Sequence, residues 1–190
     1  IIRFSFLTGS RQGDVCRLIW RQIQNLDEPL DSATPPTLIF EEGDRKQNSD
    51  HRLALDAESV ALLKRVCSRR RRRGWTPKPG HYIFPSRDAK SPDEKHRTSV
   101  QAAFNTILTN AGLRGDDVPY LERLNPHRVV KASRITQMRD EFGWSAAEVA
   151  DELGMTIKVV EDVYYADRTK VARSAARKAG MAPSLAPGVT

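Results

Sequence analysis

Apolar residues recur at helical spacing along most of this 190-residue chain, and one pair of strand-like stretches interrupts them. The strand-like stretches are 37–40 and 51–55, and a polar, basic turn over 43–49 joins them into a predicted hairpin. Helices are predicted over 9–23, 56–73, 98–112, 126–142 and 145–153, with another from Thr156 through Tyr164 and Tyr165. We therefore expect a mainly α fold with a small antiparallel β-hairpin or sheet.

Local signals set several helix ends. Asp56 is placed to cap the helix that follows it, and Ser145 with Glu148 has the spacing of a capping box. The helix after Asp56 ends in five arginines, 69–73, followed by the helix breaker Gly74. Two interpretations of this run stay open: it binds phosphates, or it is a solvated helix end that complements the helix dipole.

The length suits one compact domain, which we place at 1–180, followed by a flexible tail at 181–190 that is rich in proline and glycine. No apolar stretch approaches the about 20 residues of a membrane-spanning helix, so no membrane partner is expected. The chain begins at Ile1 rather than at a methionine, so we expect an N-terminal part of a longer protein to be missing. It shows no signal-peptide pattern, and the location is expected to be cytoplasmic. Two distant cysteines, Cys16 and Cys67, indicate neither a disulfide framework nor a metal site, and Cys16 is expected in the core.

The net charge of +7 and the pI near 9.7 favour a polyanionic partner. Clustered Lys and Arg gain free energy when they release condensed counterions from nucleic acid. Charge by itself does not identify that partner, so specific motifs have to decide.

The strongest motif runs from Leu7 to Trp20 (LTGSRQGDVCRLIW). It resembles the first arginine box of the tyrosine recombinase (phage integrase) family, in which a Thr-Gly turn leads to an arginine and a helix. The resemblance implies that Arg11 binds the scissile DNA phosphate and that Asp14 braces it. A guanidinium suits this role because its rigid donor fork matches two phosphate oxygens.

Two further stretches follow in the order of that family. Lys46 at the hairpin tip resembles the family's hairpin lysine, which protonates the leaving 5′ oxygen, although Arg45 is an alternative. The stretch 152–156, with its Leu-Gly turn, resembles the family's Leu-Gly-His turn and places Tyr164 at the separation of the nucleophilic tyrosine. Tyr165 lies one residue too late for that spacing.

The third box departs from the family's His-x-x-Arg pattern and permits several registers. The spacing to Gly143 fits best with Lys131 in the arginine position and Arg128 in the histidine position; His127 or Arg128 can also be aligned as the histidine or the arginine, respectively. Met155 replaces the His or Trp that donates to the phosphate, and a thioether cannot donate a hydrogen bond. Loss of such a donor typically costs about 10²–10³ in rate, so we expect a divergent enzyme with slow or no strand cleavage.

The resemblance implies the fold of the DNA breaking-rejoining enzymes and metal-free strand exchange through a 3′-phosphotyrosyl intermediate. It also implies double-stranded DNA as partner, a homotetramer on DNA, association with a nucleoid, and neither a cofactor nor a small-molecule substrate. One alternative is a non-catalytic DNA-binding protein, because 145–165 also resembles a helix-turn-helix. Another is an assembly protein that kept the fold and lost the activity.

Overall fold

A computed structural model of the chain describes residues 1–41, 51–112 and 126–165, with the backbone alone for 126–128. Backbone contacts divide the chain into two compact units, Ile1–Arg134 and Ile135–Thr190. All described strands belong to the first unit, and the second is helical in its described part. A single domain over 1–180 stays a prediction, and the tail 181–190 lies outside the described residues.

The single helix expected over 9–23 was wrong. The chain instead forms α1 (Ile2–Thr8), α2 (Gln12–Arg17) and a 3₁₀ turn (Trp20–Gln22). Leu18 turns to an extended conformation, and its carbonyl accepts from the Ile83 amide at 2.8 Å. Backbone pairing with the segment that contains Ile83 therefore ends the helix, although the apolar spacing would allow it to continue.

The predicted hairpin is confirmed and belongs to a three-stranded antiparallel sheet of order β1-β2-β3. Its strands are β1 (Ile23–Gln24), β2 (Thr37–Phe40) and β3 (His51–Ala54), with Leu38 opposite Leu53 and Ile23. The short edge strand β1 was missed because two residues carry too little alternation to be recognised. The hairpin turn, with Arg45 and Lys46, lies outside the described residues.

Helix α3 (Ala57–Arg72) lies directly after the sheet. Its predicted cap is confirmed, because the Asp56 carboxylate accepts from the Ser59 amide at 2.7 Å. Leu63 of α3 is fully buried and joins the sheet residues and α1 in the core of the first unit. The members of this core are Phe4, Val15, Leu18, Leu38, Phe40, Leu53, Leu55, Leu63, Ile83 and Phe84.

Cys16 is 1% exposed, as expected of a small core residue. Burial raises the pKa of the Cys16 thiol, which disfavours the reactive thiolate.

The remaining helices are α4 (Gln101–Asn110), α5 (Pro126–Asp140), α6 (Ala146–Glu152) and α7 (Ile157–Val159), and α7 continues into a π-helical turn, Val160–Tyr165. The capping box at Ser145 is confirmed: the Glu148 amide donates to the Ser145 hydroxyl, and the Ser145 amide donates to the Glu148 carboxylate. The second unit has its own core, formed by Ile135, Met138, Val149, Ala150, Leu153 and Val160. Within the described ranges, no helix combines the length and apolar character needed to cross a bilayer.

Candidate functional site

Arg11 follows a turn whose conformation is fixed by its own hydrogen bonds. Gly9 ends α1 with φ 60°, a left-handed conformation that glycine adopts without strain. The Thr8 hydroxyl donates to the Phe4 carbonyl at 2.8 Å and accepts from the Ser10 amide at 3.3 Å. Thr8 and Ser10 are both buried, so the turn presents Arg11 at a defined place at the start of α2.

The Arg11 guanidinium is incompletely paired within the part of the chain that the structure describes. Its Nη1 atom is buried and has no hydrogen-bond partner there. A buried donor without a partner costs about 1–3 kcal/mol, and more when it carries charge. Such a group is expected to gain strongly from an anionic ligand that reaches it.

Asp14, the proposed brace, is 5% exposed and lies in the first turn of α2, where the helix dipole favours a negative charge. Its Oδ1 atom accepts from Arg17 Nη2 at 3.1 Å. The carboxylate therefore holds a second arginine of the same box, one turn after Asp14 itself.

The third box lies on α5. Lys131 is only 3% exposed, and Ile135 and Met138 are buried at the following helical positions. Lys131 thus lies on the buried face of its helix, whereas Arg134 is half-buried. Burial of a lysine ammonium costs free energy unless its surroundings compensate the charge. Buried ionisable groups of this kind are common at functional sites. The side chain of Arg128 lies outside the described residues.

The Tyr165 hydroxyl has a defined backbone partner. The Tyr165 hydroxyl donates to the Trp144 carbonyl at 3.2 Å, and the Arg139 guanidinium lies 4.9 Å from the centre of its ring. The rings of Tyr164 and Tyr165 both pack against the core of the second unit, and both residues are half-buried. The Tyr165 hydroxyl is therefore engaged in a structural bond, which weighs against it as the nucleophile.

Tyr164 lies in the π-helical turn that ends the described part of the second unit. Turns of this kind are rare and recur at functional sites. Arg11 and Lys131 belong to the first compact unit and Tyr164 to the second.

Met155 occupies a well-formed helix end. Its amide donates to the Ala150 carbonyl at 2.7 Å, and the Gly154 amide donates to the Asp151 carbonyl at 3.1 Å, with Gly154 at φ 57°. These paired bonds form a Schellman motif. The Met155 side chain packs against the core of the second unit, so the position has a structural role in this chain.

No three or more His, Cys, Asp and Glu side chains are grouped as metal ligands within residues 1–41, 51–112 and 126–165.

Solved structures with the same architecture exist, although no protein-family model and no curated protein matches the sequence. The XerH site-specific recombinase bound to palindromic difH substrate superposes with a TM-score of 0.56 at 16% identity over 92% of this chain and 44% of that one. The Tn1549 transposon integrase in complex with a circular intermediate DNA gives 0.57 at 11% identity over 90% of this chain and 57% of that one. The chain has a tyrosine recombinase catalytic-domain-like fold.

This result confirms the fold class that the motifs implied. The recombinase-like fold here spans about half the length of the solved structures that it matches. At this low identity the similarity shows the fold alone, so activity has to be argued from this chain's own residues.

Proposed function

We propose that the chain cleaves and rejoins DNA strands through a 3′-phosphotyrosyl intermediate, as in site-specific recombination and the integration of mobile elements. The observation that carries the proposal is the buried Arg11 Nη1, which has no partner among the described residues and follows a turn fixed by its own hydrogen bonds. The fold is shared with a site-specific recombinase and a transposon integrase whose structures contain DNA.

In the proposed reaction, Arg11 binds the scissile phosphate and neutralises the charge that develops on its oxygens. Lys131, with Arg128, supplies the second basic contact. The Tyr164 phenol loses its proton to solvent, and its oxygen forms a bond to phosphorus while the bond to the 5′ oxygen breaks. Lys46 gives its proton to that leaving oxygen and regains one from water. The 3′-phosphotyrosyl bond between Tyr164 and the DNA conserves the energy of the broken phosphodiester, so rejoining needs no cofactor.

We propose further that cleavage is slow. Met155 cannot donate to the phosphate, and Lys131 offers a point charge where a bidentate arginine would bind two oxygens. Each loss acts on the charge that develops in the transition state, where preorganised donors have their largest effect. The protein is also expected to act in the cytoplasm as a homotetramer on duplex DNA at the nucleoid.

The test uses nicked duplexes that trap the covalent intermediate, incubated with wild type, Tyr164→Phe and Tyr165→Phe. We expect slow accumulation of a heat- and detergent-resistant adduct in wild type and Tyr165→Phe, and none in Tyr164→Phe. Tyr165→Phe is a matched control, since it removes a hydroxyl from the neighbouring residue of the same turn. Adduct formation at rates ordinary for a recombinase would contradict the proposed impairment.

The same experiment separates the non-catalytic alternative. Equal, salt-sensitive and purely noncovalent binding by all three proteins would favour a DNA-binding protein that uses the helix-turn-helix-like segment 145–165. Weak binding with little salt dependence would favour an assembly protein.

A further inference from the structure

The arginine run at the end of α3 surrounds a cavity of about 500 Å³. Its lining consists of Val66, Arg69, Arg70, Arg72, Arg73 and Phe84, which we call the arginine pocket. Four of the five consecutive arginines line it, and Arg71 does not. The fold thus divides a uniform stretch of sequence into residues that face a shared cavity and one that does not.

The wall of the arginine pocket is held in place by the way in which α3 ends. The Trp75 amide donates to the Arg70 carbonyl at 3.0 Å, and the Gly74 amide donates to the Arg71 carbonyl at 2.9 Å, with Gly74 at φ 76°. This Schellman motif returns Trp75 onto the last turn, where its ring centre lies 5.4 Å from the Arg70 guanidinium carbon. Arg70 is therefore fixed against an aromatic face.

Positive charge in the arginine pocket is uncompensated within the described part of the chain. None of the carboxylates described there forms an ion pair with a lining arginine. Burial, followed by repulsion from Arg73 and Arg97, lowers the pKa of Arg70. The Arg97 amide donates to the carbonyl of Phe84, a pocket residue, at 3.0 Å, which attaches this further cation beside the lining.

Complementing the helix dipole does not explain this arrangement. The dipole favours any cation in the last turn of α3, and Arg71 meets that condition as well as its neighbours do. It gives no reason for guanidinium groups to converge on a cavity, where they repel one another. An anion in the cavity would offset that repulsion, and the apolar side chains of Val66 and Phe84 in the lining would limit competition from water.

We propose that the arginine pocket binds a backbone phosphodiester of duplex DNA, at a site separate from that of Arg11. Guanidinium forks match pairs of phosphate oxygens, and a backbone phosphate brings a single compact charge into a half-open cavity. The inference rests on the proposed function in taking DNA as the ligand, but it does not require cleavage.

The test compares Arg70→Gln/Arg73→Gln with the control Arg65→Gln/Arg71→Gln. Both variants remove two charges from α3, but the control residues do not line the pocket. Affinity for a fluorescent duplex is measured by anisotropy at several salt concentrations. Loss of one phosphate contact reduces the magnitude of the slope of log K against log salt by about 0.9. If wild type and variant have equal affinity near 1 M salt, the variant then binds about eight-fold more weakly at 0.1 M salt. We expect that change in the pocket variant and less than half of it in the control.

Equal losses of slope in the two variants would overturn the proposal, because net charge would then explain both. The proposal would also be overturned if duplex affinity matched the control while inorganic phosphate raised the Tm of wild type alone, since the pocket would then bind a free anion. Arg69→Gln/Arg73→Gln, which changes exposed residues only, repeats the test if the first variant unfolds.

Cleavage is measured on the same proteins at saturating duplex. We expect the pocket variant to form the Tyr164 adduct at the wild-type rate. Absence of any adduct in wild type would contradict the proposed cleavage but would leave the difference in salt slope intact, so the two proposals fail separately.

Discussion

Replacement of Arg11 by methionine should stabilise the protein and inactivate it at the same time. Methionine keeps an unbranched stem of similar length but removes the guanidinium, whose buried Nη1 has no partner among the described residues. Removing an unsatisfied buried donor recovers its desolvation cost of about 1–3 kcal/mol. Because Arg11 as a whole is only half-buried, we expect the lower end, about 1 kcal/mol.

The stability gain of Arg11→Met is measured as an increase in the free energy of unfolding in urea without DNA. It should also raise the Tm by about 2–4 °C for a chain of this size. Adduct formation on a nicked duplex should fall by at least about 10²-fold, because a preorganised donor to the developing charge is lost. A stability gain together with loss of activity is the pattern expected when a site keeps a ligand-binding group unsatisfied.

Arg17→Met is the matched control within the same box. Arg17 Nη2 donates to the buried Asp14 carboxylate, so its removal takes a partner from a buried charge and should destabilise the chain by about 1 kcal/mol. A fall in the stability of Arg11→Met similar to that of Arg17→Met would refute the reasoning, because Arg11 would then be a satisfied structural residue.

Four further predictions concern the second unit. Tyr165→Phe removes a hydrogen bond and should cost about 1 kcal/mol in urea unfolding. Gly154→Ala forces a side chain into the left-handed region and should cost about 1–2 kcal/mol, visible as a lower Tm. Met155→His restores a donor and should speed adduct formation by about 10-fold or more; no change would indicate that the position does not reach the phosphate. Hydrogen bonds from Ser145 lower the pKa of Glu148, so the Tm advantage of wild type over Glu148→Gln should be present at pH 7 and disappear as the pH falls below about 4.

Much of the fold could be predicted because its signals are local. The cap at Asp56, the capping box at Ser145 and the strands of the hairpin depend on residues within a few positions of one another, and all are confirmed. The helix over 9–23 failed because its end depends on a hydrogen bond from Ile83, more than sixty positions away. Apolar periodicity contains no information about such a partner.

In the candidate site, too, the sequence predicted some features and the fold alone revealed others. The resemblance of the motif around Arg11 predicts a phosphate ligand there, and only the folded structure reveals that one guanidinium nitrogen is buried without a described partner. The spacing in the family resemblance favours Tyr164 over Tyr165, and the fold adds that the Tyr165 hydroxyl bonds to the Trp144 carbonyl. The roles of Lys46 and Arg128 stay predictions.

By itself, the sequence predicted most of the helices, two of the three described strands and the basic character of the chain, and its resemblance to a family supplied a candidate nucleophile and phosphate ligand. These predictions use composition, short-range spacing and motifs, which are properties of the chain before it folds. Tertiary structure alone decided which polar atoms are buried, that the Tyr165 hydroxyl bonds to the Trp144 carbonyl, and which four of five consecutive arginines line a cavity. The physical reason is that burial and convergence of charge arise between segments distant in sequence, whose contacts form only when the core packs.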